Sequence, residues 1–343
     1  MIYSFKNDYS ECAHPRILQA LAETNLVQTD GYGEDIYCRK AIELIQEKIK
    51  NASADIHFIA GGTLANIVVI SSLLKPYESV ISAQTGHIHV HEAGAIESIG
   101  HKIHTVESED GKLKPTDIQE VLDVHTDEHM VRPKAVYISN SSEVGSLYSK
   151  KELTDLSQFC RANHLYLFLD GARLGSALTS KYSDISLAEI AELVDIFYIG
   201  GTKNGALFGE AIVITHPDLK SHFRYYLKQK GALLAKGRVF GIQFLELFKD
   251  DLYFQLAQHA NEVADKLAQE IQNQHFKFLS LPQTNQIFPI LPNHLIEKLQ
   301  VNYGFYIWKK IDEQHSAIRL VTSWATQEKD IEGFILEMKK VKF

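Results

Sequence analysis

Two chemically active side chains follow two consecutive apolar segments near the middle of the chain. Residues 165–169 lead into Asp170 and, three positions later, Arg173, while residues 196–199 lead through glycines to Lys203. Such segments are typical of buried parallel strands, and ligands of open α/β sheets bind at the carboxyl ends of these strands. An acid, an amine and a cation at one such edge are what pyridoxal phosphate (PLP) requires for its pyridine nitrogen, aldehyde and phosphate. We therefore interpret the chain as a PLP enzyme.

The types of these residues suggest their roles. Lys203 follows a predicted buried strand, where loss of water lowers the pKa of an amine and makes it nucleophilic, although a loop lysine facing water is the ordinary alternative. Asp170 ends an apolar strand, where a carboxylate needs a partner. A protonated pyridine would supply one, and so would a helix cap or an ion pair with Arg173. The planar fork of Arg173 suits either a phosphate or a substrate carboxylate.

A glycine-rich turn lies where a predicted strand gives way to a helix, at Ala60-Gly-Gly62-Thr63. Small residues let the backbone approach a phosphate, the amides of a helix N-terminus attract it, and the Thr63 hydroxyl adds a donor. The turn lacks the Gly-Lys-Ser/Thr of a P-loop, which argues against nucleotide hydrolysis, and a GxGxxG fingerprint is also missing. We assign Gly62, Thr63 and, beside the lysine, Thr202 to cofactor binding.

Three histidines alternate along the chain at His87, His89 and His91. One face of a strand would align them for a metal ion, but glycine and helix signals disfavour a regular strand here, so we predict no metal site. We expect His87 to stack on the pyridine ring and to accept protons. Arg319 lies in an apolar segment, residues 317–321, where its charge needs an anion. A substrate carboxylate would serve, unless Arg319 lies on an exposed edge strand.

The assembled residues resemble the low-specificity threonine aldolases, which are grouped with the aromatic amino-acid β-eliminating lyases. The similarity extends over nearly the whole chain, and its most specific parts are the Asp170-Gly-Ala-Arg173 and Lys203 segments. The other motifs that carry it are Asp8, Gly31-Tyr32-Gly-Glu-Asp35, Gly62-Thr63-Leu-Ala-Asn66, His87, Glu92-Ala-Gly94 and Ile318-Arg319-Leu-Val-Thr322.

This resemblance implies a fold-type I, aspartate-aminotransferase-like architecture with PLP as cofactor. It also implies homodimers or homotetramers whose subunits share active sites. By position, it implies that Lys203 binds the cofactor's aldehyde, Asp170 holds the pyridine nitrogen and His87 stacks on the ring, and these three are the catalytic residues. Gly62 and Thr63 would bind the phosphate. The residues that would surround the substrate are Asp8, Tyr32, Arg173 and Arg319.

The chain departs from the family's pattern in three places. It has Asn7-Asp8-Tyr9 where the family usually has Ser-Asp-Thr, and Asn140-Ser-Ser-Glu143 where the family usually has Asn-Thr-His-Asn. The segment Leu234-Ala-Lys236-Gly-Arg238 replaces a Gly-Met-Arg-Gln segment that lends a phosphate-binding arginine to the neighbouring subunit. Either Lys236 or Arg238 could substitute for that arginine.

These departures leave two lyase reactions open. We predict retro-aldol cleavage of a β-hydroxy-α-amino acid, such as L-threonine or L-allo-threonine, to glycine and an aldehyde, with His87, through water or with Glu143, as the base. Because the placement of the base decides which bond breaks, β-elimination to a keto acid and ammonia is the alternative. A non-catalytic α/β ligand-binding protein is a remote third interpretation, against which the presence of both Asp170 and Lys203 argues.

Composition excludes several other classes of function. The net charge of -8 and the pI near 6.1 argue against nucleic-acid binding. No apolar run reaches membrane-spanning length, and the start of the chain looks like neither a signal peptide nor a transit sequence. The three cysteines are odd in number and form no CxxC pattern. We therefore expect a cytoplasmic enzyme whose partner is a small-molecule amino acid, not a nucleic acid or a membrane.

Strands and helices alternate from about residue 56 to 230, which predicts a three-layer α/β/α domain with a mostly parallel sheet. From about residue 248, a long helix, short strands and a last helix predict a smaller α+β domain. We divide the chain into an N-terminal segment (1–45) that packs with the small domain, a large PLP-binding domain (46–247) and a small C-terminal domain (248–343). Within this scheme we expect a helical segment from His91 and one helix over residues 219–230.

Overall fold

A computed structural model describes residues 2–340 of the chain. It begins with a short strand and two helices, namely β1 (Tyr3–Ser4), α1 (Pro15–Glu23) and α2 (Ile36–Lys48). Pro15 occupies the first turn of α1, where the missing N–H leaves no hydrogen bond unmade. Asp35 caps α2 by accepting hydrogen bonds from the first backbone amides of that helix.

The central sheet has seven strands, and helices follow most of them. The strands are β2 (Asp55–Ile59), β3 (Glu78–Ala83), β4 (Ile103–Val106), β5 (Arg132–Ser139), β6 (Tyr166–Asp170), β7 (Ile196–Gly200) and β8 (Glu210–Ile214). The helices are α3 (Gly62–Leu73), α4 (His87–Val90), α5 (Ala95–Ser98), α6 (Pro115–Val124), α7 (Lys150–Ala162), α8 (Leu174–Thr179), α9 (Leu187–Leu193) and α10 (Phe223–Gln229). A 3-10 turn, Pro217–Leu219, precedes α10.

The strand order is β2-β8-β7-β6-β5-β3-β4. All neighbours from β7 to β4 are parallel, while β8 runs antiparallel to both β7 and β2. Every residue of β7 and β8 is buried, as in a strand covered on both faces. One face of the sheet packs against α3 and α10, and the other against α2, α6, α7 and α9. This is the predicted three-layer domain with a mostly parallel sheet.

Two helices lead from this domain to a second, smaller sheet. They are α11 (Arg238–Phe248) and α12 (Leu252–Asn273), joined by a 3-10 turn at Lys249–Asp251. The later elements are β9 (Lys277–Phe278), β10 (Gln286–Ile287), β11 (Pro289–Pro292), α13 (Asn293–Gln300), β12 (Tyr303–Gly304), β13 (Tyr306–Lys310), β14 (His315–Val321) and α14 (Glu328–Lys340). The strands β9, β10, β11, β13 and β14 form an antiparallel sheet whose core includes residues of α12, α13 and α14.

The N-terminal segment divides its contacts between the two sheets. β1 pairs in parallel with β12, and the Phe5 ring is fully buried in the core of the small domain. Helices α1 and α2 instead pack against α11 and belong to the core of the large domain. The first residues of this segment therefore pack on the small domain, as expected, whereas α1 and α2 pack on the large domain. The predicted boundaries after residues 45 and 247 stay a prediction.

The sequence prediction was wrong for two helices. The segment near the histidines forms α4 and α5, separated by Gly94 at φ +73°, so His91 ends a turn of helix and does not begin one. The expected helix over residues 219–230 is interrupted by His222 at φ +63°, a left-handed conformation that no continuous helix contains. Between residues 2 and 340, no helix combines the length and the apolar character needed to cross a bilayer.

Candidate active site

The carboxyl ends of β5, β6 and β7 lie side by side at one edge of the central sheet. Ser139 at the end of β5 is in register with Asp170 at the end of β6, and the backbone N–H of Asn140 donates to the Asp170 carbonyl at 3.1 Å. β7 is the next parallel strand, and the turn after it carries Lys203. The topology therefore brings Asp170 and Lys203 to the same edge, as their positions in the sequence predict.

Asp170 is buried and held in a fixed orientation by three donors. The Tyr137 hydroxyl donates to Oδ2 at 2.6 Å, the Asn66 amide donates to the same oxygen at 3.4 Å, and the backbone N–H of Ala172 donates to Oδ1 at 3.0 Å. Burial and the neighbouring carboxylates raise the pKa of the Tyr137 phenol well above its ordinary value, so this hydroxyl stays a donor. A carboxylate with these partners is prepared to hold a positively charged N–H.

Lys203 lies among several charged groups that alter its protonation. Burial, together with the positive charge of Arg173, lowers the pKa of the Lys203 amine. The carboxylates of Asp8, Glu143 and Asp170 oppose this shift without cancelling it. The amine is therefore neutral more often than that of a surface lysine, which is the condition a nucleophilic lysine needs.

His87 is bound to a buried carboxylate. Its Nδ1 lies 2.8 Å from Oε1 of Glu92, and the Asn66 amide donates to that same oxygen at 2.7 Å. Burial lowers the pKa of His87, but the Glu92 hydrogen bond and the charges of Glu143 and Asp170 outweigh it, so the pKa is raised. His91 follows one helical turn later, with its ring centroid 5.5 Å from that of His87. Among residues 2–340, no three His, Cys, Asp or Glu side chains are grouped to hold a metal ion.

Two arginines lie close together on the substrate side, and they differ in their partners. Arg173 forms a two-pronged ion pair with Asp8, with distances of 2.7 Å from Nε to Oδ2 and 3.0 Å from Nη2 to Oδ1. Asn285 also donates to this carboxylate, at 2.9 Å. Arg319 has only one long hydrogen bond, 3.3 Å to the Lys6 carbonyl, and its buried Nε has no partner in the described part of the chain. Burial and the charge of Arg173 lower the pKa of Arg319. Of these two cations, Arg319 is the one that lacks an anion.

The structure shows a contact of Asp8 that the sequence did not predict, and its predicted role in substrate binding stays a prediction. We expected it to contact the substrate, but its carboxylate binds the guanidinium that we also assigned to the substrate. The charge of Arg173, that of Lys203 and the hydrogen bonds outweigh burial and lower the pKa of Asp8, so it remains ionised. In this structure Asp8 orients Arg173, and Arg319 is the cation left to receive a carboxylate.

The glycine-rich turn leads directly into α3, with Gly61 as the N-cap residue. No side chain caps this end of the helix among the described residues, so its first amides lack a side-chain partner. A Cβ built on Gly61 would meet no heavy atom within 4 Å, and Thr63 is exposed. The turn is therefore open to a phosphate. Together with the oriented Asp170 and the desolvated Lys203, the residues present fit PLP.

Thr202 is engaged by a residue that the sequence did not single out. Its hydroxyl donates to Oε1 of Glu210 at 2.8 Å and accepts the backbone N–H of Gly209 at 2.9 Å. The other oxygen of Glu210 accepts the backbone N–H of Gly201 at 2.8 Å. Burial raises the pKa of Glu210 to about 7. The Thr202 hydroxyl thus fixes the turn that carries Lys203, and its predicted role in cofactor binding stays a prediction.

Three of the predicted residues form a second group. The turn Gly31–Gly33, which includes the exposed Tyr32, packs against the backbone of residues 235–237. Arg238 donates to the carbonyls of Thr24 and Val27 and lies over the Tyr37 ring, so its fork is occupied within its own subunit. Lys236 is exposed. Tyr32, Lys236 and Arg238 therefore lie near one another, and none of them takes part in the hydrogen bonds around Asp170, His87 and Arg173 described above.

Sequence reasoning missed Tyr137, Asn66 and Glu210 as parts of the site. Tyr137 lies on the same side of β5 as Ser139, two residues from the strand end, a position from which its hydroxyl reaches the next strand. Glu210 begins an apolar strand shortly after the lysine, and a buried carboxylate there could have been recognised by the argument applied to Asp170. Asn66 was named only as part of the Gly62–Asn66 motif that carries the family resemblance, and no role was assigned to it.

Comparisons with known proteins agree on one family. A family described as Beta-eliminating lyase matches residues 13–293. The "Low specificity L-threonine aldolase" of Pseudomonas aeruginosa is 32% identical over 327 residues, covering 94% of this chain and 93% of the relative.

Solved structures give the same result for the fold. A structure of Leishmania major threonine aldolase has a TM-score of 0.97 and 47% identity, covering 98% of this chain and 99% of its own. An aspartate aminotransferase from Thermus thermophilus, at 14% identity, has a TM-score of 0.73 over 100% of this chain and 92% of its own. The second match shows the fold alone, and it confirms the predicted aspartate-aminotransferase-like class.

Proposed function

The chain belongs to the β-eliminating lyase family of PLP-dependent enzymes, which includes threonine aldolases, and we propose that it cleaves a β-hydroxy-α-amino acid to glycine and an aldehyde. L-Threonine and L-allo-threonine are the simplest substrates of this class. The proposal is carried by one observation: a desolvated lysine amine and an oriented carboxylate lie at adjacent strand ends, beside a half-buried arginine that lacks an anion.

The cofactor would be held by residues from three strands and one helix. Lys203 would hold the aldehyde carbon, and the Asp170 carboxylate, oriented by Tyr137, would keep a proton on the pyridine nitrogen. The open amides at the start of α3 would bind the phosphate. When bound, PLP accepts the electron pair of the bond that breaks at the substrate's Cα. His87, whose orientation is fixed by Glu92, would cover one face of the ring.

The substrate would be oriented by its carboxylate. Arg319 supplies a planar fork with an unpaired, buried Nε, and Arg173 contributes a second positive charge while Asp8 holds it in place. Two fixed contacts at the carboxylate restrict rotation about Cα, and the bond that stands perpendicular to the ring is the one that breaks. The desolvated amine of Lys203 favours β-elimination as a second candidate, because a neutral lysine can remove the proton from Cα.

We further propose that the enzyme is a homo-oligomer whose subunits share active sites. Several large apolar side chains near the second group are exposed, among them Leu26 at 92%, Val27 at 48% and Ile36 at 47%. A surface of this kind marks an interaction site. Lys236, exposed beside it, is the better candidate to reach a phosphate in a neighbouring subunit, because Arg238 is engaged within its own chain. Sedimentation velocity would detect the dimer or tetramer.

One set of assays tests the proposed reaction. Purified protein supplied with PLP should be yellow and should lose this colour on borohydride reduction, with the reduced adduct on Lys203. The variant Lys203→Ala should form no reducible adduct. Incubation with L-threonine, L-allo-threonine and aromatic amino acids, followed by assays for glycine, aldehyde and pyruvate, separates cleavage from elimination. Pyruvate without glycine from every substrate would reject the aldolase proposal. A cytoplasmic location stays a prediction.

A further inference from the structure

Five carboxyl groups surround the cleft, and one of them differs from the rest. Four accept hydrogen bonds from protein groups: Asp8 from Arg173 and Asn285, Glu92 from Asn66, Asp170 from Tyr137, and Glu210 from Gly201 and Thr202. Glu143 has neither a hydrogen bond nor an ion pair with any described residue, and it is only partly buried. Its carboxylate is thus available to a substrate, whereas the other four are committed to the protein.

The loop that carries Glu143 is held on both sides. It follows β5, and the backbone N–H of Ser142 donates to the Ser146 carbonyl at 2.9 Å, while the hydroxyls of these two serines lie 2.7 Å apart. The Ser280 hydroxyl donates to the carbonyl of Val144 at 2.9 Å. The position of Glu143 is therefore set by the fold, and a rigid loop can place a reacting group accurately.

Charged and titratable groups from several elements face Glu143. Its loop begins beside Asp170, because Ser139, four residues earlier, is in register with Asp170. The negative charge of Glu143 favours a raised pKa at His87, Tyr137 and Arg173, and it opposes the lowering of the pKa at His91, Lys203 and Arg319. This set includes the amine expected to hold the cofactor and both cations expected to face the substrate carboxylate. Glu143 is therefore close to the groups that would surround the substrate's Cα and Cβ.

We propose that the carboxylate of Glu143 binds the β-hydroxyl of the substrate and accepts its proton during cleavage. This inference rests on the proposed function. The hydroxyl proton moves to Glu143, and the O–H electron pair becomes the second bond of the aldehyde carbonyl. The Cα–Cβ bond breaks and leaves its electron pair at Cα, which a proton then converts to glycine. Glu143 returns its proton to solvent or to Cα, so that the carboxylate is restored.

His87 is the competing acceptor, and its surroundings argue against it. Its Nδ1 is bound to Glu92, and its pKa is raised, so the ring tends to carry a proton already. His91 is a second competitor, since burial and nearby cations lower its pKa and leave it neutral. The side chain of His91 is more exposed to solvent than that of Glu143, however.

The test compares two reactions of the PLP-loaded enzyme. Exchange of a Cα proton of glycine in deuterium oxide requires the cofactor, Lys203 and the carboxylate site, but no hydroxyl base. Cleavage of L-allo-threonine requires all of these and the base. For Glu143→Gln, we expect cleavage to fall about 100-fold or more while glycine exchange changes less than about 3-fold, as for loss of a general base. Glu120→Gln, an exposed change on α6, is the matched control and should alter neither reaction.

A measurement without turnover supports the same conclusion. Because the charge of Glu143 raises the pKa of His87, NMR titration of the histidines in cofactor-free Glu143→Gln should show a lower pKa for His87 than in the wild type. Unchanged cleavage in Glu143→Gln, or an equal loss of cleavage and exchange, would overturn the inference. A large loss of cleavage in His91→Asn with retained exchange would assign the proton to His91 and would also overturn it. If the wild type cleaves no β-hydroxy amino acid, the proposed function itself fails.

Discussion

The carboxylates at the inner end of the cleft are paired within the protein, whereas two charged groups at its outer end are not. At the inner end, Asp170 and Glu210 accept hydrogen bonds from fixed donors on neighbouring strands and turns. At the outer end, the Arg319 Nε and the Glu143 carboxylate have no partner among the described residues. A buried polar group without a partner costs free energy unless a ligand supplies one. The inner end is thus preorganised by the protein, and the outer end is completed by what binds there.

The largest expected effect comes from the inner end. In Asp170→Asn, a neutral amide cannot hold a proton on the pyridine nitrogen by charge, and we expect kcat to fall about 1000-fold, within the range for a group that controls a proton. Tyr137→Phe removes one donor but keeps the carboxylate, so its loss should be about 10-fold. Steady-state cleavage assays on PLP-loaded variants measure both. Equal losses would show that the hydrogen bond, and not the charge, matters.

Variants of Arg173 and Arg319 test whether a paired arginine contributes more to the free energy of unfolding than an unpaired one. Arg173→Met leaves the buried Asp8 carboxylate with only Asn285, and we expect the free energy of unfolding to fall by about 3 kcal/mol. Arg319→Met removes a guanidinium with an unpaired Nε, so the free energy of unfolding should stay within about 1 kcal/mol of the wild type while KM rises steeply. Urea denaturation of cofactor-free protein measures both variants. A similar loss of stability in both would contradict the difference between the two arginines.

The pH dependence of stability tests Glu210. Burial raises its pKa from 4.5 to about 7. Between these values the native state keeps a proton that the unfolded chain releases, so stability falls as pH rises through this window. The shift corresponds to about 3 kcal/mol. The free energy of unfolding of Glu210→Gln minus that of the wild type should therefore increase by about that amount from pH 4.5 to pH 7.5. A difference that does not depend on pH would show that Glu210 is ionised throughout.

The smallest effect is expected at Thr202. In Thr202→Val the Gly209 amide loses its acceptor and Glu210 loses one donor, which should cost about 1 to 2 kcal/mol of unfolding free energy. If the hydroxyl serves only to position the turn, the affinity for PLP should change less than about 3-fold. Thr202→Ser, which keeps the hydroxyl, is the control and should behave like the wild type. A large loss of PLP affinity in Thr202→Val alone would restore the predicted role in cofactor binding.

The sequence predicts most of the inner end because its residues follow local patterns. The apolar segments 165–169 and 196–199 identified β6 and β7, and the ends of these strands placed Asp170 and Lys203 at one edge. The family and the fold class were predicted correctly. The outer end depends on contacts between distant residues: Asp8 and Arg173 are 165 positions apart, and no local pattern predicts that they pair. The interrupted helices near His91 and His222 depend on single left-handed residues, which helix periodicity does not detect.

The N-terminal residues that the structure describes connect the small domain to the cleft. β1 pairs with β12, the Phe5 carbonyl accepts the backbone N–H of Val321 at 2.9 Å, and three residues later Asp8 grips Arg173. Because one short segment makes all three contacts, a change that displaces it from the small domain would also separate Asp8 from Arg173.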